Sequence, residues 1–461
     1  MTTQPPSPLL PIPTKQQLAW QRQELVMFVH FTVNTFTDRE WGEGTEDPRI
    51  FNPTALDTRQ WIAAAKSAGF KSVILTAKHH DGFCLWPSRY TEHSVKNSPW
   101  RDGKGDLVRE FVDACHEAGL KPGLYLSPWD RHEPTYGDSP RYNEHYLNQL
   151  TELLTQYGPI CEVWFDGACG EGPNGRRQEY DWQAFWGTVR KHQPEAVIFG
   201  DGGTDLRWIG NEQGFAGDPC WSTVDPSIVP YPGAGGTDAA RHSLHHGDEG
   251  GSVWRPGETD VSIRPGWFWH AAENDKVRSV DNLVELYFQS VGRNSLLLLN
   301  LPPDRRGLFH EVDVEHLAGF RQALDGLFAI DLAAGKPATA SNTRGSCADF
   351  GPAKALDGNP ETFWATDDSV TESWLEVDLG APTTFGIVDL QEAIALGQRV
   401  QSYRIERWDG QAWQTVVTGN TIGHRKLDRV EPVTTQRVRL VITGARACPT
   451  ISHFGLYRGN D

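Results

Sequence analysis

The sequence contains few cysteines, no long apolar run and no excess of basic residues. Its 461 residues include seven Cys, an odd number that is too sparse for a scaffold built on disulfides. No apolar segment approaches the roughly 20 residues that a membrane-spanning helix needs. The formal net charge of −17 disfavours nonspecific binding to nucleic acid or to an anionic membrane. A neutral partner fits this charge better, and no feature of the sequence fixes an oligomeric state.

The N-terminal segment lacks the features of a secretory signal. Residues 1–13 are polar and rich in proline, without a basic start followed by an apolar stretch. We expect a cytoplasmic protein, or a periplasmic or secreted one if a signal has been removed, so the compartment stays open.

Short apolar runs alternate with amphipathic stretches from Glu24 to about Asp331. The predicted strands are Val26–Val33, Ser72–Ala77, Pro122–Ser127, Cys161–Asp166, Ala196–Gly200, Leu206–Gly210 and Ser295–Leu301. The predicted helices are Thr58–Gly69, Asp106–Gly119, Tyr142–Tyr157, Asp181–His192 and Ser279–Gly292. This alternation predicts an α/β protein with a (β/α)8-like barrel, although residues 213–270 look irregular. The alternative, a doubly wound sheet, lacks a Gly-rich fingerprint after its first strand.

The pattern changes after Ala333–Gly335. From there onward, short strands with alternating polarity are separated by Gly, Asn and Asp turns. We therefore predict a catalytic barrel over residues 1–333 and an all-β sandwich, or jelly roll, over residues 334–461.

The predicted strand ends are rich in polar and aromatic residues, and barrel enzymes place their chemistry at these ends. Two carboxyl groups stand out. Asp166 follows the apolar strand of the segment EVWFDG, and Glu212 lies in a loop after a later strand. Glycoside hydrolysis needs such a pair, about 5–5.5 Å apart for retention of configuration and about 6.5–9.5 Å apart for inversion. Asp166 can equally be a turn or capping residue, and Glu212 a solvated loop acid.

The sequence also has features with a less specific meaning. Its 18 tryptophans suit a sugar ligand, because indole faces stack on sugar rings, but most tryptophans are core residues. His79, His80 and Asp81 form a candidate metal site, although adjacent strand residues point to opposite faces. A buried histidine that bonds to backbone is the alternative.

Several segments resemble the signature segments of glycoside hydrolase family 29, the α-L-fucosidases. They span residues 20 to 310 in the family's order: FVHFTVNTFTDREWG, TAKHHDGFCLWPSRYTEHSV, KPGLYLSPWD, EVWFDG and GRNSLLLLNLPPDRRG. The segments GNEQG and LQEAIALGQRV resemble the subfamily that prefers α-1,3/4-linked fucose on branched, Lewis-type acceptors. The resemblance implies a retaining exo-α-L-fucosidase that needs no metal or other cofactor. Its partner would be a fucosylated oligosaccharide or glycoconjugate.

The resemblance also implies roles for individual residues. Asp166 is expected as the nucleophile and Glu212 as the general acid/base. The expected substrate-binding residues are His30, Glu40, Trp41, His79, His80, Tyr125, Trp164, Trp254, Glu258 and Trp267. Around Glu40 the assignment is ambiguous, because Glu43 follows three residues later. His, Glu and Tyr side chains can satisfy sugar hydroxyls, and indoles can cover the apolar C6 methyl group.

Three other functions fit parts of the pattern. An α-L-galactosidase would need room beyond the C6 methyl position. A non-catalytic carbohydrate-binding protein would not need both carboxylates and the histidine pair. A metal-dependent hydrolase would lose activity to a strong chelator.

The C-terminal segments KPATASN, AKALDGNPETFWAT, SWLEVDLG and RVRLVITGARACPTISHFGLY resemble a discoidin-like (factor 5/8 type C) domain. Such domains bind carbohydrate in some proteins and serve as packing partners in others. The resemblance further implies a structural calcium ion, held by oxygens of Asp357, Asn359 and Thr362.

Overall fold

The computed structural model describes residues 3–459, whose first domain is built on ten strands. They are β1 (Leu25–Val29), β2 (Ser72–Lys78), β3 (Lys121–Leu126), β4 (Glu162–Trp164), β5 (Val197–Phe199), β6 (Arg207–Trp208), β7 (Thr223–Val224), β8 (Val253–Trp254), β9 (Gly257–Ser262) and β10 (Leu296–Asn300). Eight of them form one parallel sheet in the order β5-β4-β3-β2-β1-β10-β9-β6. Backbone hydrogen bonds from Leu206 N to Ile198 O (3.1 Å) and from Trp208 N to Gly200 O (3.3 Å) bridge the seam between β5 and β6. The predicted (β/α)8-like barrel is therefore confirmed.

Nine helices occur in the described part of the first domain. They are α1 (Lys15–Gln21), α2 (Val33–Thr37), α3 (Thr58–Ser67), α4 (Leu107–Ala118), α5 (Ser139–Gln156), α6 (Trp182–His192), α7 (Asp238–His246), α8 (Val280–Ser290) and α9 (Glu311–Leu327). Local signals set their ends. In α4, Asp106 accepts a hydrogen bond from Arg109 N, and Gly119 ends the helix with a left-handed φ of 76°. No helix between residues 3 and 459 is long and apolar enough to cross a membrane.

Two predicted segments are wrong. The first strand ends at Val29, because Thr32 caps α2 by accepting a hydrogen bond from Asn34 N. The stretch 213–270 is not irregular throughout, since it contains helix α7 and barrel strand β9. Strand β9 escaped detection because its inward side chains, including Glu258 and Asp260, are polar, so it lacks the usual apolar alternation.

The side chains inside the barrel change from apolar to polar along the strands. Val26 and Phe28 on β1 and Leu296 and Leu298 on β10 belong to one buried apolar cluster. His30 and Asn300 follow at the next inward positions, and their side chains are hydrogen-bonded at 2.8 Å. The two-residue period of a strand thus brings polar groups together at the carboxyl end of the barrel.

Helix α1 closes the opposite end of the barrel. The Trp20 indole donates to Glu162 Oε2 at 2.9 Å, and the Gln17 amide donates to the backbone oxygens of Asp205 and Trp254 at 2.8 Å. Asp205 and Trp254 each precede a barrel strand, so these bonds lie at the amino ends of the strands.

The second domain is an antiparallel sandwich with its own apolar core, as predicted. Its sheet order is β12-β17-β13-β16-β14-β15, with β11 paired to β13. Its strands are β11 (Ala338–Ala340), β12 (Trp364–Ala365), β13 (Ser373–Glu392), β14 (Val400–Trp408), β15 (Trp413–Gly419), β16 (Lys426–Ala445) and β17 (Thr450–Tyr457).

The residues of the turn predicted to hold calcium form hydrogen bonds with one another. The Thr362 hydroxyl lies 2.8 Å from Asp357 Oδ1, and the Asn359 N–H donates to the same oxygen at 2.9 Å. These bonds hold oxygens of the turn close to one another. The calcium ion stays a prediction.

The two domains are joined by buried polar contacts. Arg425 of the sandwich donates to Glu24, just before β1, at 3.0 Å and to Asp389 at 2.7 Å. Although burial opposes ionisation, Arg425 and His424 hold the pKa of Glu24 far below its usual range. The N-terminal segment also lies on the sandwich, where Leu9 N donates to Leu396 O at 2.9 Å.

Arg425→Ala should destabilise the protein by about 3–5 kcal/mol, because it removes the guanidinium that pairs with the buried Asp389 and with Glu24. Denaturant unfolding would measure the loss. Arg59→Ala is the matched control, since the Arg59–Glu117 pair is exposed and should contribute less than about 1 kcal/mol. Equal losses in the two variants would contradict this account of the interface.

Candidate active site

A pocket opens at the carboxyl end of the barrel strands and encloses about 120 Å³. Pockets for drug-sized ligands occupy about 300–1,000 Å³, so this one suits a single small ring. Nine of the predicted site residues line it: His30, Trp41, His79, His80, Tyr125, Trp164, Asp166, Glu212 and Trp267. The other lining residues are Phe28, Ala168 and Asp260.

Asp166 lies just beyond β4 and is fixed by two hydrogen-bond donors. The Tyr125 hydroxyl donates to its Oδ2 at 2.9 Å, and Ala168 N donates to its Oδ1 at 2.7 Å. His80 Nε2 is 3.8 Å from Oδ2. The carboxylate is a quarter exposed, so it has fixed geometry and an open side toward the pocket.

Glu212 reaches the same pocket from the loop after β6. Its Oε2 accepts a hydrogen bond from the Trp267 indole at 3.2 Å. Partial burial raises the pKa of Glu212, and although the Trp267 bond opposes this rise, the charges of Asp166 and Glu40 add to it. Glu212 therefore retains a proton more readily than an ordinary glutamate does.

Two further acids surround this pair. Asp260, buried in the pocket wall, accepts a hydrogen bond from the Trp208 indole at 2.9 Å, and burial and the charge of Glu212 raise its pKa well above the usual range. Asp201 accepts from Gly233 N at 3.0 Å. Burial raises the pKa of Asp201 to about 6; the Gly233 bond opposes this rise, and the charge of Asp166 adds to it.

Three histidines line the pocket in their neutral form. Burial lowers the pKa of His30 to about 3, against the opposing effect of its bond to Asn300. Burial also lowers the pKa of His79 and His80, and the charges of neighbouring histidines add to this effect for His79. Neutral imidazoles offer one donor and one acceptor each, which suits sugar hydroxyls.

The two adjacent histidines both face the pocket because β2 has already ended at Lys78. Their ring centroids lie 4.1 Å apart. Among the residues that the structure describes, no group of three or more His, Cys, Asp or Glu side chains is arranged to hold a metal ion.

Glu40 lies behind the pocket wall and does not line it. Its carboxylate accepts hydrogen bonds from Trp267 N at 2.7 Å and from His270 Nε2 at 2.6 Å. It therefore fixes the loop that presents Trp267. Glu43, the alternative in the sequence, pairs instead with Arg39 on the surface.

The structure does not bring Trp254 and Glu258 into the pocket. Trp254 lies at the amino end of the barrel beneath α1, because it precedes β9, and its indole donates to Gln21 at 3.0 Å. Glu258 is fully buried at the start of β9 and accepts a hydrogen bond from the Trp164 indole at 2.9 Å. Its side chain lies beneath Trp164.

The sequence analysis missed Phe28, Ala168 and Asp260 as members of the site. Phe28 could have been found, since it lies two residues before His30 and so faces the same way. Asp260 could not, because β9 was not recognised.

A barrel pocket that combines two carboxyl groups with neutral histidines and tryptophans is typical of glycoside hydrolases. Comparisons with known proteins agree. An α-L-fucosidase family profile matches residues 15–324, and an F5/8 type C domain profile matches residues 337–454. Alpha-L-fucosidase 1 of Arabidopsis thaliana is 46% identical over 98% of this chain and 88% of that protein. The chain belongs to the α-L-fucosidase family and carries an F5/8 type C domain.

A solved structure shares the whole architecture. It is a GH29 fucosidase of Ruminococcus gnavus in complex with fucose, 35% identical to this chain. The match covers 100% of this chain and 97% of that one, with a TM-score of 0.92.

Gly167→Ala should lower the turnover of the Lewis a trisaccharide by up to about 100-fold, the cost of small misplacements at a reacting centre. A Cβ at Gly167 would lie 2.8 Å from Gly233 N and 2.9 Å from Asp201 Oδ2, so the backbone beside Asp166 would have to shift. Gly187→Ala in helix α6 is the control, because no atom lies within 4 Å of its Cβ position. Unchanged turnover in a folded Gly167→Ala variant would refute the close packing.

Proposed function

We propose that the protein is a retaining exo-α-L-fucosidase that removes terminal α-1,3/4-linked fucose from branched, Lewis-type glycans. The single observation that supports this most is the shared pocket of Asp166 and Glu212, in which the two acids have different surroundings. The small pocket volume suits one terminal sugar, and the relative from R. gnavus binds fucose.

In the first step, Asp166 Oδ attacks the anomeric carbon of the fucose. The bond to the departing oxygen breaks, and Glu212 donates its proton to that oxygen. The step forms a covalent fucosyl–Asp166 ester and releases the acceptor glycan. The two donors on Asp166 fix its direction of attack, and the raised pKa of Glu212 keeps its proton available.

In the second step, Glu212 takes a proton from water, and the resulting hydroxide attacks the same carbon. The ester bond to Asp166 breaks and fucose leaves with its original anomeric configuration. The neutral histidines and Tyr125 hold the ring hydroxyls, while Trp164 and Phe28 cover the apolar side of the sugar.

The proposed preference for α-1,3/4 linkages rests on the resemblance of the segments GNEQG and LQEAIALGQRV to the subfamily with that preference. The first bears Glu212 and so sets the side on which the acceptor leaves. The second lies at the domain interface, where the Gln398 amide donates to Cys220 O at 3.1 Å.

A panel of substrates tests the activity and the linkage together. We expect fucose release from the Lewis a trisaccharide, little from 2′-fucosyllactose or an aryl α-L-fucoside, and no effect of a strong chelator. Asp166→Asn should lower turnover by several orders of magnitude while leaving unfolding unchanged, since both amide and carboxylate accept from Ala168 N. Normal turnover in Asp166→Asn would refute the assigned nucleophile, and inverted product in an NMR time course would refute retention.

Glu212→Gln should remove the alkaline limb of the pH profile. In the wild type, kcat/KM should fall as pH rises through the raised pKa of Glu212, because the deprotonated acid cannot protonate the leaving group. Glu212→Gln should keep more of the wild-type rate on aryl fucosides with acidic phenols than on Lewis a, since such groups leave without protonation. Gln213→Ala, at the neighbouring residue in the same loop, controls for loop damage without adding a charge beside Glu212. Equal losses on both substrate types would argue against Glu212 as the acid.

A further inference from the structure

Two glutamates face each other inside the barrel beneath the pocket, and the chemistry above does not use them. Glu162 on β4 and Glu258 on β9 are both fully buried. Glu162 accepts a hydrogen bond from Trp20, which closes the base of the barrel, at 2.9 Å. Glu258 accepts one from Trp164, which lines the pocket, at 2.9 Å. The pair thus connects the closed end of the barrel to the sugar pocket.

Each carboxyl group uses one oxygen to accept from an indole, which leaves its second oxygen free to bond to the other carboxyl group. Glu162 Oε1 and Glu258 Oε2 are buried, and no donor among residues 3–459 bonds to either oxygen. Glu162 and Trp164 point to the same face of β4, and Glu258 accepts from Trp164, so the two carboxyl groups are neighbours. A hydrogen bond between them needs a proton. Without that proton, two charges would face each other in an apolar interior, which is strongly unfavourable.

Within residues 3–459, the outside charges that act most on the pair are negative. Burial raises the pKa of both glutamates, and the negative charges of Asp205 and Asp260 add to the rise. The cation on the adjacent strand, Arg207, donates instead to Leu244 O and Arg255 O. The nearby side chains of β1 and β10 are apolar.

We propose that Glu162 and Glu258 share a proton and, as positioning residues, hold Trp164 against the bound sugar. Trp164 cannot move freely, because its ring stacks on Phe199 at 4.0 Å and its indole N–H is bound to Glu258. Loss of the shared proton forces the two carboxylates apart and moves Trp164. Sugar binding should then weaken as pH rises. The proposal rests on the proposed function, since the ligand in question is fucose.

Glu258→Gln separates positioning from proton sharing. Its amide oxygen still accepts from Trp164, and its NH2 group donates to Glu162 in place of the shared proton. We expect KM for the Lewis a trisaccharide to rise with pH in the wild type as the pair loses its shared proton, and to stay flat in Glu258→Gln. Glu258→Leu, which leaves the indole unpaired, should raise KM about tenfold at every pH and change kcat less. Glu162→Gln is a second variant in which an NH2 group replaces the shared proton.

A stability measurement tests the pair without any activity. The folded pair holds its proton more tightly than the unfolded chain does. The free energy of unfolding should therefore fall as pH rises above about 4.3, the ordinary pKa of glutamate. In Glu258→Gln, the free energy of unfolding should fall less steeply with pH. If the wild type releases no fucose, the proposed function fails, while this measurement still decides about the pair.

Glu152→Gln is the matched control. Glu152 is also a buried carboxyl group bound to an indole, that of Trp86 at 2.9 Å, but it lies away from the pocket. It should leave the pH dependence of KM unchanged. The proposal is overturned if Glu258→Gln and Glu162→Gln keep the wild-type pH dependence of KM and of stability, or if Glu152→Gln alters the pH dependence of KM equally.

Discussion

The barrel interior depends on hydrogen bonds between tryptophan indoles and acid side chains. Trp20 donates to Glu162, Trp164 to Glu258 and Trp208 to Asp260, each at 2.9 Å. An indole N–H and a carboxyl group are both costly to bury alone, but each satisfies the other. These pairs let a chain with 18 tryptophans and a net charge of −17 place large rings at fixed positions inside a narrow barrel. The indole rings at the carboxyl end of the barrel, those of Trp41, Trp164 and Trp267, form walls of the sugar pocket.

The second domain packs against the side and the base of the barrel. The residues that line the pocket all belong to the barrel domain. Arg425 holds Glu24 at the entrance to β1, and His424 N of the sandwich donates to Oδ1 of Asn294, just before β10, at 2.7 Å. Both contacts lie near the amino ends of β1 and β10, which are neighbours in the sheet. The inward residues His30 and Asn300 lie at the other ends of these same strands. The interface therefore fixes the relative position of β1 and β10, whose carboxyl ends contribute to the pocket. A packing role for the sandwich follows from these contacts alone.

The sequence predicted much of the site because strand alternation and strand ends are local properties. Asp166 follows a short apolar run, and His30 ends another, so both could be placed without knowing the sheet order. Glu258 could not be placed, because its depth depends on where β9 begins, and the polar inward face of β9 hides that strand from any hydropathy pattern. Trp254 was misplaced for a related reason. It lies before β9 and not after it, so it belongs to the closed end of the barrel. The link between Glu40 and Trp267 joins residues 227 positions apart, and only tertiary structure reveals it.

Acid side chains of similar intrinsic strength acquire different roles in this pocket because their hydrogen-bond donors differ. Asp166 receives two donors, Tyr125 and Ala168 N, which stabilise negative charge and suit a nucleophile. Glu212 accepts a hydrogen bond from the Trp267 indole, and its partial burial, together with the charge of Asp166, favours its protonated form. Asp260 and Asp201 differ again, because burial keeps both acids neutral over a wider pH range. Differences in burial and in hydrogen-bond donors, and not in the acids themselves, therefore separate the carboxyl groups of this pocket.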